Sequence, residues 1–191
     1  MRLIIQYFPY IFGVIFFITE VYRGFALKSN NKNSDQTDKS SLKILWITIG
    51  ISMFAGGFAT SFTQFHITSF QPGIYYIGIS LSLIGFIIRA MAIQQLGKHF
   101  TVDVQISKDH QLKEDGMYSI VRNPSYTGAL MAFTGLALSY SNYLSILIII
   151  VPIFLAFAYR ISVEEKALQQ AFGNAFSAYC NKTKRLIPFI Y

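Results

Sequence analysis

The stretch Gly116-Met-Tyr-Ser-Ile-Val-Arg-Asn-Pro-Ser-Tyr126 leads into residues 123–159, a run of 37 residues without a charge, and Arg160-Ile-Ser-Val-Glu164-Glu165 closes it. A helix rises about 1.5 Å per residue and a hydrocarbon core is about 30 Å thick, so the run is long enough for two crossings. Ser139-Tyr140-Ser141-Asn142 places turn-forming residues near its middle. A hairpin bent there returns its second end to the side on which it began. The Arg-Asn-Pro-Ser-Tyr segment and the Arg/Glu pair then meet at one membrane face, as a polar site at a bilayer surface.

The chain around this run reads the same way. Hydrophobic residues make up 53% of it and charged residues 13%, about half the usual globular share of charge, with a mean hydropathy of +0.43. Three further apolar segments stand out: 3–21, interrupted by Gln6 and Glu20; 44–62, wholly uncharged; and 74–93, with only Arg89. The first lacks a small-x-small cleavage site and is followed by Glu20, so it reads as a retained span rather than a signal peptide. Together these predict an all-α integral membrane protein of about five transmembrane helices. Residues 1–191 form one domain, with two spans in 1–63 joined by a mobile loop at 23–43, and a core for binding and chemistry in 74–191.

Basic residues set the orientation. Residues 23–43 carry Arg23, Lys28, Lys32, Lys39 and Lys43; residues 97–122 carry Lys98, Lys108, Lys113 and Arg122; the C-terminal region carries Lys166, Lys182, Lys184 and Arg185. The connections 63–73 and 139–143 carry none. The positive-inside rule then puts the N-terminus outside and the C-terminus in the cytoplasm. The net charge of +7 is spread over cytoplasmic loops, which suits anionic lipid and excludes a groove for nucleic acid. The lone Cys180 has no disulfide partner and reads as a small buried side chain.

Beyond Tyr159, Ala167, Leu168, Ala171, Phe172, Ala175, Phe176 and Tyr179 recur three and four apart, as on one face of an amphipathic cytoplasmic helix. Glu165, Gln169, Asn174 and Ser177 fall opposite, so Glu165 is expected on the exposed side. Taken singly, the polar signals have plain structural readings. Arg160 and Glu164, four apart, suit a helix-surface ion pair; Arg89 can snorkel to the interface; Asn123-Pro124 suits an N-cap followed by a first-turn proline.

Their order is more specific. His110-Gln-Leu112, Gly116-x-Tyr118, Arg122-Asn-Pro-Ser-Tyr126-x-Gly128, an apolar hairpin, Arg160-x-x-x-Glu164-Glu165-x-x-Leu168, Phe172-Gly173, Tyr179 and Thr183-x-Arg185-Leu-Ile-Pro188 follow one another. This resembles the isoprenylcysteine carboxyl methyltransferase family, membrane enzymes that use S-adenosyl-L-methionine, and its bacterial relatives, over residues 89–188. The resemblance implies a cofactor site drawn from Gln105, His110, Gln111, Leu112, Lys113, Tyr118, Asn123, Pro124, Ser125, Tyr126 and Glu164. It implies a catalytic pair, Arg160 and Glu164, with Arg160 facing the substrate; a lipophilic or prenylated substrate and membrane lipids as partners; no metal; and a bacterial inner membrane as location. Asn123 stands where the eukaryotic pattern has His. Asn donates and accepts hydrogen bonds but does not titrate near neutral pH, which excludes a protonation role there. Methyl transfer to phospholipid amines or to lipid and polyketide hydroxyls is the alternative chemistry. A non-catalytic membrane protein is the alternative class, although it expects ionisable residues within several spans, and 44–62 and the hairpin have none.

Overall fold

The computed structural model describes residues 2–26, 36–69, 71–97, 112–188 and 190–191. Its helices are α1 (Arg2–Ala26), α2 (Gln36–Ala59), α3 (Gln71–Leu96), α4 (Pro124–Ser139), α5 (Tyr143–Phe172) and α6 (Asn174–Lys182), with single 3₁₀ turns at Thr63–Phe65 and Gly116–Ser119. Among the described residues there is no strand, only the isolated bridges His66–Asn142 and Val121–Lys184. The stretches Ser40–Ala59, Pro72–Leu96 and Tyr143–Phe172 are long and apolar enough to cross a membrane. The apolar part of α1, Pro9–Glu20, is shorter, and the 16 residues of α4 rise only about 24 Å. Large apolar side chains face outward, Phe54 being 80% exposed, while Ser52, Ser82 and Ser145 are buried. That inversion suits a lipid surround and an all-helical integral membrane protein.

The hairpin forms where its polar residues predict. Tyr140–Asn142 turn the chain, with Ser141 in the left-handed region at φ 48°. Asn142 caps α5: its Oδ1 accepts from the Ser145 amide at 3.0 Å, and its Nδ2 donates to the Ala59 and Phe62 carbonyls at 3.3 Å. The turn is thereby stitched to the α2–α3 connection. At the opposite end the Arg122 amide donates to the Lys184 carbonyl at 2.8 Å, joining the approach to α4 to the tail beyond α6.

The tightest packing is α3 against α4. Gly78 and Gly85 on one helix face Gly135 and Gly128 on the other, seven residues apart in each. A Cβ on Gly78 would lie 2.5 Å from the Ser139 amide nitrogen, and one on Gly128 would lie 2.5 Å from that of Arg89. Only glycine permits this approach, which trades side-chain packing for backbone contact. It also fixes Arg89 beside the first turn of α4. α1 lies over the bundle through aromatic edges: Phe16 meets Phe133 at 5.0 Å and Phe86 at 5.9 Å.

Two helix expectations are corrected. Of the mobile loop expected at 23–43, residues 23–26 end α1 and residues 36–43 begin α2, where Ser41 is 1% exposed; residues 27–35 lie outside the described residues. The expected single amphipathic helix past Tyr159 is broken at Gly173, whose φ of 51° ends α5 and redirects the chain into α6. Phe176 and Tyr179 are buried, whereas Ala171 and Ala175 are exposed. A 3.6-residue period cannot reveal a left-handed glycine that resets it.

Candidate active site

The ends of the uncharged run meet. α4 starts at Pro124 and α5 continues past the apolar stretch, so Tyr126 faces the polar last turns of α5. The Tyr126 hydroxyl donates to Glu164 Oε1 at 2.5 Å, and Arg160 Nε donates to the same oxygen at 2.9 Å. A terminal guanidinium nitrogen of Arg160 donates to Ser41 Oγ at 2.6 Å. Arg160 is 1% exposed, so the expected surface ion pair is an interior one, where loss of a partner is costly.

Behind it lies a second network. Glu165 is buried, contrary to the exposed position its helical face predicts. It accepts from Arg122 Nε at 3.0 Å and from Arg185 Nε at 2.8 Å. Arg122 also donates to the Cys180 carbonyl at 3.1 Å and to the Thr183 carbonyl. The covering element is the segment 183–188, which returns across α5; no helical-wheel argument contains it. Asn123 differs from its expected capping role: its side chain makes no cap bond and instead donates to the Arg185 carbonyl at 3.2 Å.

One cavity of about 490 Å³ joins these features. Its polar end is walled by Leu112, Lys113, Tyr118, Asn123, Ser125, Tyr126 and Glu164. Pro124 is fully buried beside it. Gln105, His110 and Gln111 lie outside the described residues. Arg160 is not on the wall; it stands behind Glu164. From the polar end the cavity continues between α1, α2 and α4 past Leu45, Trp46, Met53, Phe133 and Leu136 to Tyr10 and Tyr140. From Tyr126 to Tyr140 that path follows α4 for about 21 Å.

Several wall residues make contacts that the sequence does not predict. Tyr179 on α6 donates to the Tyr118 carbonyl at 2.7 Å, and Tyr118 donates to the Ala92 carbonyl at 3.2 Å. Burial pushes both phenol pKa values well above their ordinary range, so both remain donors. Arg89 does not snorkel: it pairs with Glu20 of α1 at 2.5 Å and donates to Ser125 Oγ at 2.9 Å. The seven-residue glycine spacing in 78–85 and 128–135 was the available signal, because it seats Arg89 against α4. Among the described residues no group of acidic, His or Cys side chains could hold a metal.

Known proteins supply an independent comparison. The phospholipid methyltransferase family matches residues 74–175, more than half of the 191-residue chain. Protein-S-isoprenylcysteine O-methyltransferase B of Arabidopsis thaliana is 33% identical over 115 residues, covering 59% of this chain and 58% of that protein. The Schizosaccharomyces pombe protein-S-isoprenylcysteine O-methyltransferase is 27% identical over 189 residues, covering 92% and 80%. Among solved structures, the eukaryotic intramembrane Ras methyltransferase, isoprenylcysteine carboxyl methyltransferase, superposes with a TM-score of 0.64 at 28% identity, over 74% of this chain and 52% of that one. The chain thus spans a little over half the length of several proteins it matches. The family-level resemblance read from the motif order is borne out, and the chain belongs to the phospholipid methyltransferase family.

Proposed function

We propose that the protein is an S-adenosylmethionine-dependent methyltransferase that esterifies the carboxylate of an isoprenylcysteine-like lipid at the cytoplasmic face of its membrane. The observation that carries this reading is one continuous cavity, polar at the α4–α5 mouth and apolar for the length of α4. A substrate with an anionic head and one long apolar tail matches both parts.

The residues at the polar end suit the cofactor. Glu164 offers a carboxylate to a cationic group, Tyr126 fixes that carboxylate, and Leu112 with Tyr118 offers apolar and aromatic surface. When bound, S-adenosylmethionine supplies a methyl group that passes to a carboxylate oxygen while sulfur retains the electron pair of the broken bond. A carboxylate is ionised at pH 7, so no base is needed. The protein's task is alignment and exclusion of water. Arg160, held by Glu164 and Ser41, stiffens the mouth, and its substrate-facing role requires exchange of those contacts. In this reading α1 and α4 complete a five-span arrangement with the N-terminus outside, and α6 lies at the cytoplasmic surface.

The test is calorimetric titration of the purified protein with S-adenosylmethionine, followed by labelled methyl transfer to N-acetyl-S-farnesylcysteine. Saturable binding and label in the ester support the proposal; absence of binding ends it. The family's description favours one second reading, methylation of a phospholipid amine. Transfer to phosphatidylethanolamine and not to the prenylcysteine would select it.

A further inference from the structure

The guanidinium that faces the tail channel belongs to Arg89, and its partner is instructive. Arg89 Nε reaches Glu20 Oε1 at 2.7 Å and a terminal nitrogen reaches Oε2 at 2.5 Å, a two-pronged grip on a carboxylate. Its other terminal nitrogen donates to Ser125 Oγ at 2.9 Å and to the Ser125 carbonyl at 3.1 Å. Arg89, Glu20 and Ser125 all line the cavity. They sit at its neck, where Ser125 and Tyr126 give way along α4 to Ala129, Ala132 and Phe133. A carboxylate attached close to an apolar tail must lie at that neck if the tail fills the channel. The other cavity-wall cations are placed differently: Arg122 serves Glu165, and Lys113 serves Asp115 at 2.8 Å.

We propose that Arg89 and Ser125 form the cradle for the substrate carboxylate, and that Glu20 occupies this cradle until substrate displaces it. The inference rests on the carboxyl-methylation reading above. It makes Glu20 a built-in competitor carried on α1, a helix otherwise attached mainly through aromatic edges. It also gives a direction to the cycle. Esterification removes the negative charge, and a neutral ester cannot keep a forked ion pair against Glu20. Arg89 then pairs with Glu20 again, the ester is no longer held at the cradle, and a new acid reopens it.

Trp46 is the single tryptophan and lines the channel, so its fluorescence reports occupancy without turnover. The ligands are N-acetyl-S-farnesylcysteine and its methyl ester. Glu20→Gln should tighten binding of the acid about tenfold, the scale of one charge-assisted hydrogen bond, and leave the ester unchanged. Arg89→Lys keeps the charge that Glu20 needs but loses the fork; it should weaken the acid alone. Melting curves on the same samples confirm that each variant is folded. Equal shifts for acid and ester, no shift in Glu20→Gln, or no Trp46 response to either ligand overturns the proposal. Acid-selective shifts in a protein that transfers no methyl group would instead leave the cradle standing and remove the methyltransferase reading.

Discussion

Glu164 and Glu165 are consecutive in the chain and stand in opposite regions of the molecule. Glu164 faces the cavity, accepts from Tyr126 and Arg160, and can receive a ligand. Glu165 faces the C-terminal tail and is enclosed by Arg122 and Arg185. A step of about 100° around a helix separates a carboxylate presented to chemistry from one consumed in structure. The same charge therefore has two functions, decided by whether the next layer is space or protein. The Glu165 network anchors the segment from which α4 starts, so it supports the site without touching it.

The largest expected effect breaks the structural side. Glu165→Ala leaves two arginines without their carboxylate and should cost about 3 kcal/mol of stability, reduced from a fully buried pair because Arg185 is 36% exposed. Denaturant unfolding in a fixed detergent measures it; a loss well under 1 kcal/mol would mean that the tail is not held this way. Next is Glu164→Gln, which keeps the shape and removes the charge. S-adenosylmethionine affinity should fall about tenfold with a smaller stability loss than in Glu165→Ala, by calorimetry and melting on one preparation. The reverse ranking would exchange the roles of the two residues. Smaller still is Tyr126→Phe, which removes one hydroxyl from Glu164. About 1 kcal/mol of cofactor affinity should be lost, and Tyr179→Phe, one shell further out, should show less than half of that.

Much of this was legible because it depends on short-range rules. The apolar run, its polar middle and its two polar ends specify a hairpin, and the hairpin alone brings Tyr126 to Glu164. Motif order then identified the family. What stayed hidden depends on distant chain. Glu165 reads as exposed until residues 183–188 fold over it. Arg160 reads as a surface residue until Ser41, 119 positions away, meets it. Arg89 has an ordinary snorkelling explanation until Glu20 of α1 appears opposite. Each error is a buried charged side chain with a partner on a different element, and periodicity on one helix carries no information about that.

Cys180 offers the finest test of the two-region contrast, because it is the single cysteine and sits beside the Glu165 network. Burial pushes its thiol pKa up; Arg122 and Arg185 oppose that shift, while Glu165 reinforces it. Only the thiolate reacts with an alkylating reagent, so at a fixed pH near 8 labelling of the folded protein should be slower than labelling of the denatured chain. Removing Glu165 deletes one raising influence and leaves both lowering guanidinium groups in place. The thiol pKa must then fall, the thiolate fraction at pH 8 must rise, and labelling should accelerate. Glu164→Gln should leave the rate unchanged, because Glu164 acts on the cavity side. Labelling must be compared at protein concentrations and temperatures where melting curves show both variants folded, since global opening would raise the rate at every pH alike. A pKa-driven change instead shifts the rate profile along the pH axis and converges with wild type well above the thiol pKa. Acceleration in both variants, or in neither, would show that the two carboxylates are not electrostatically separate and would end the division drawn between them.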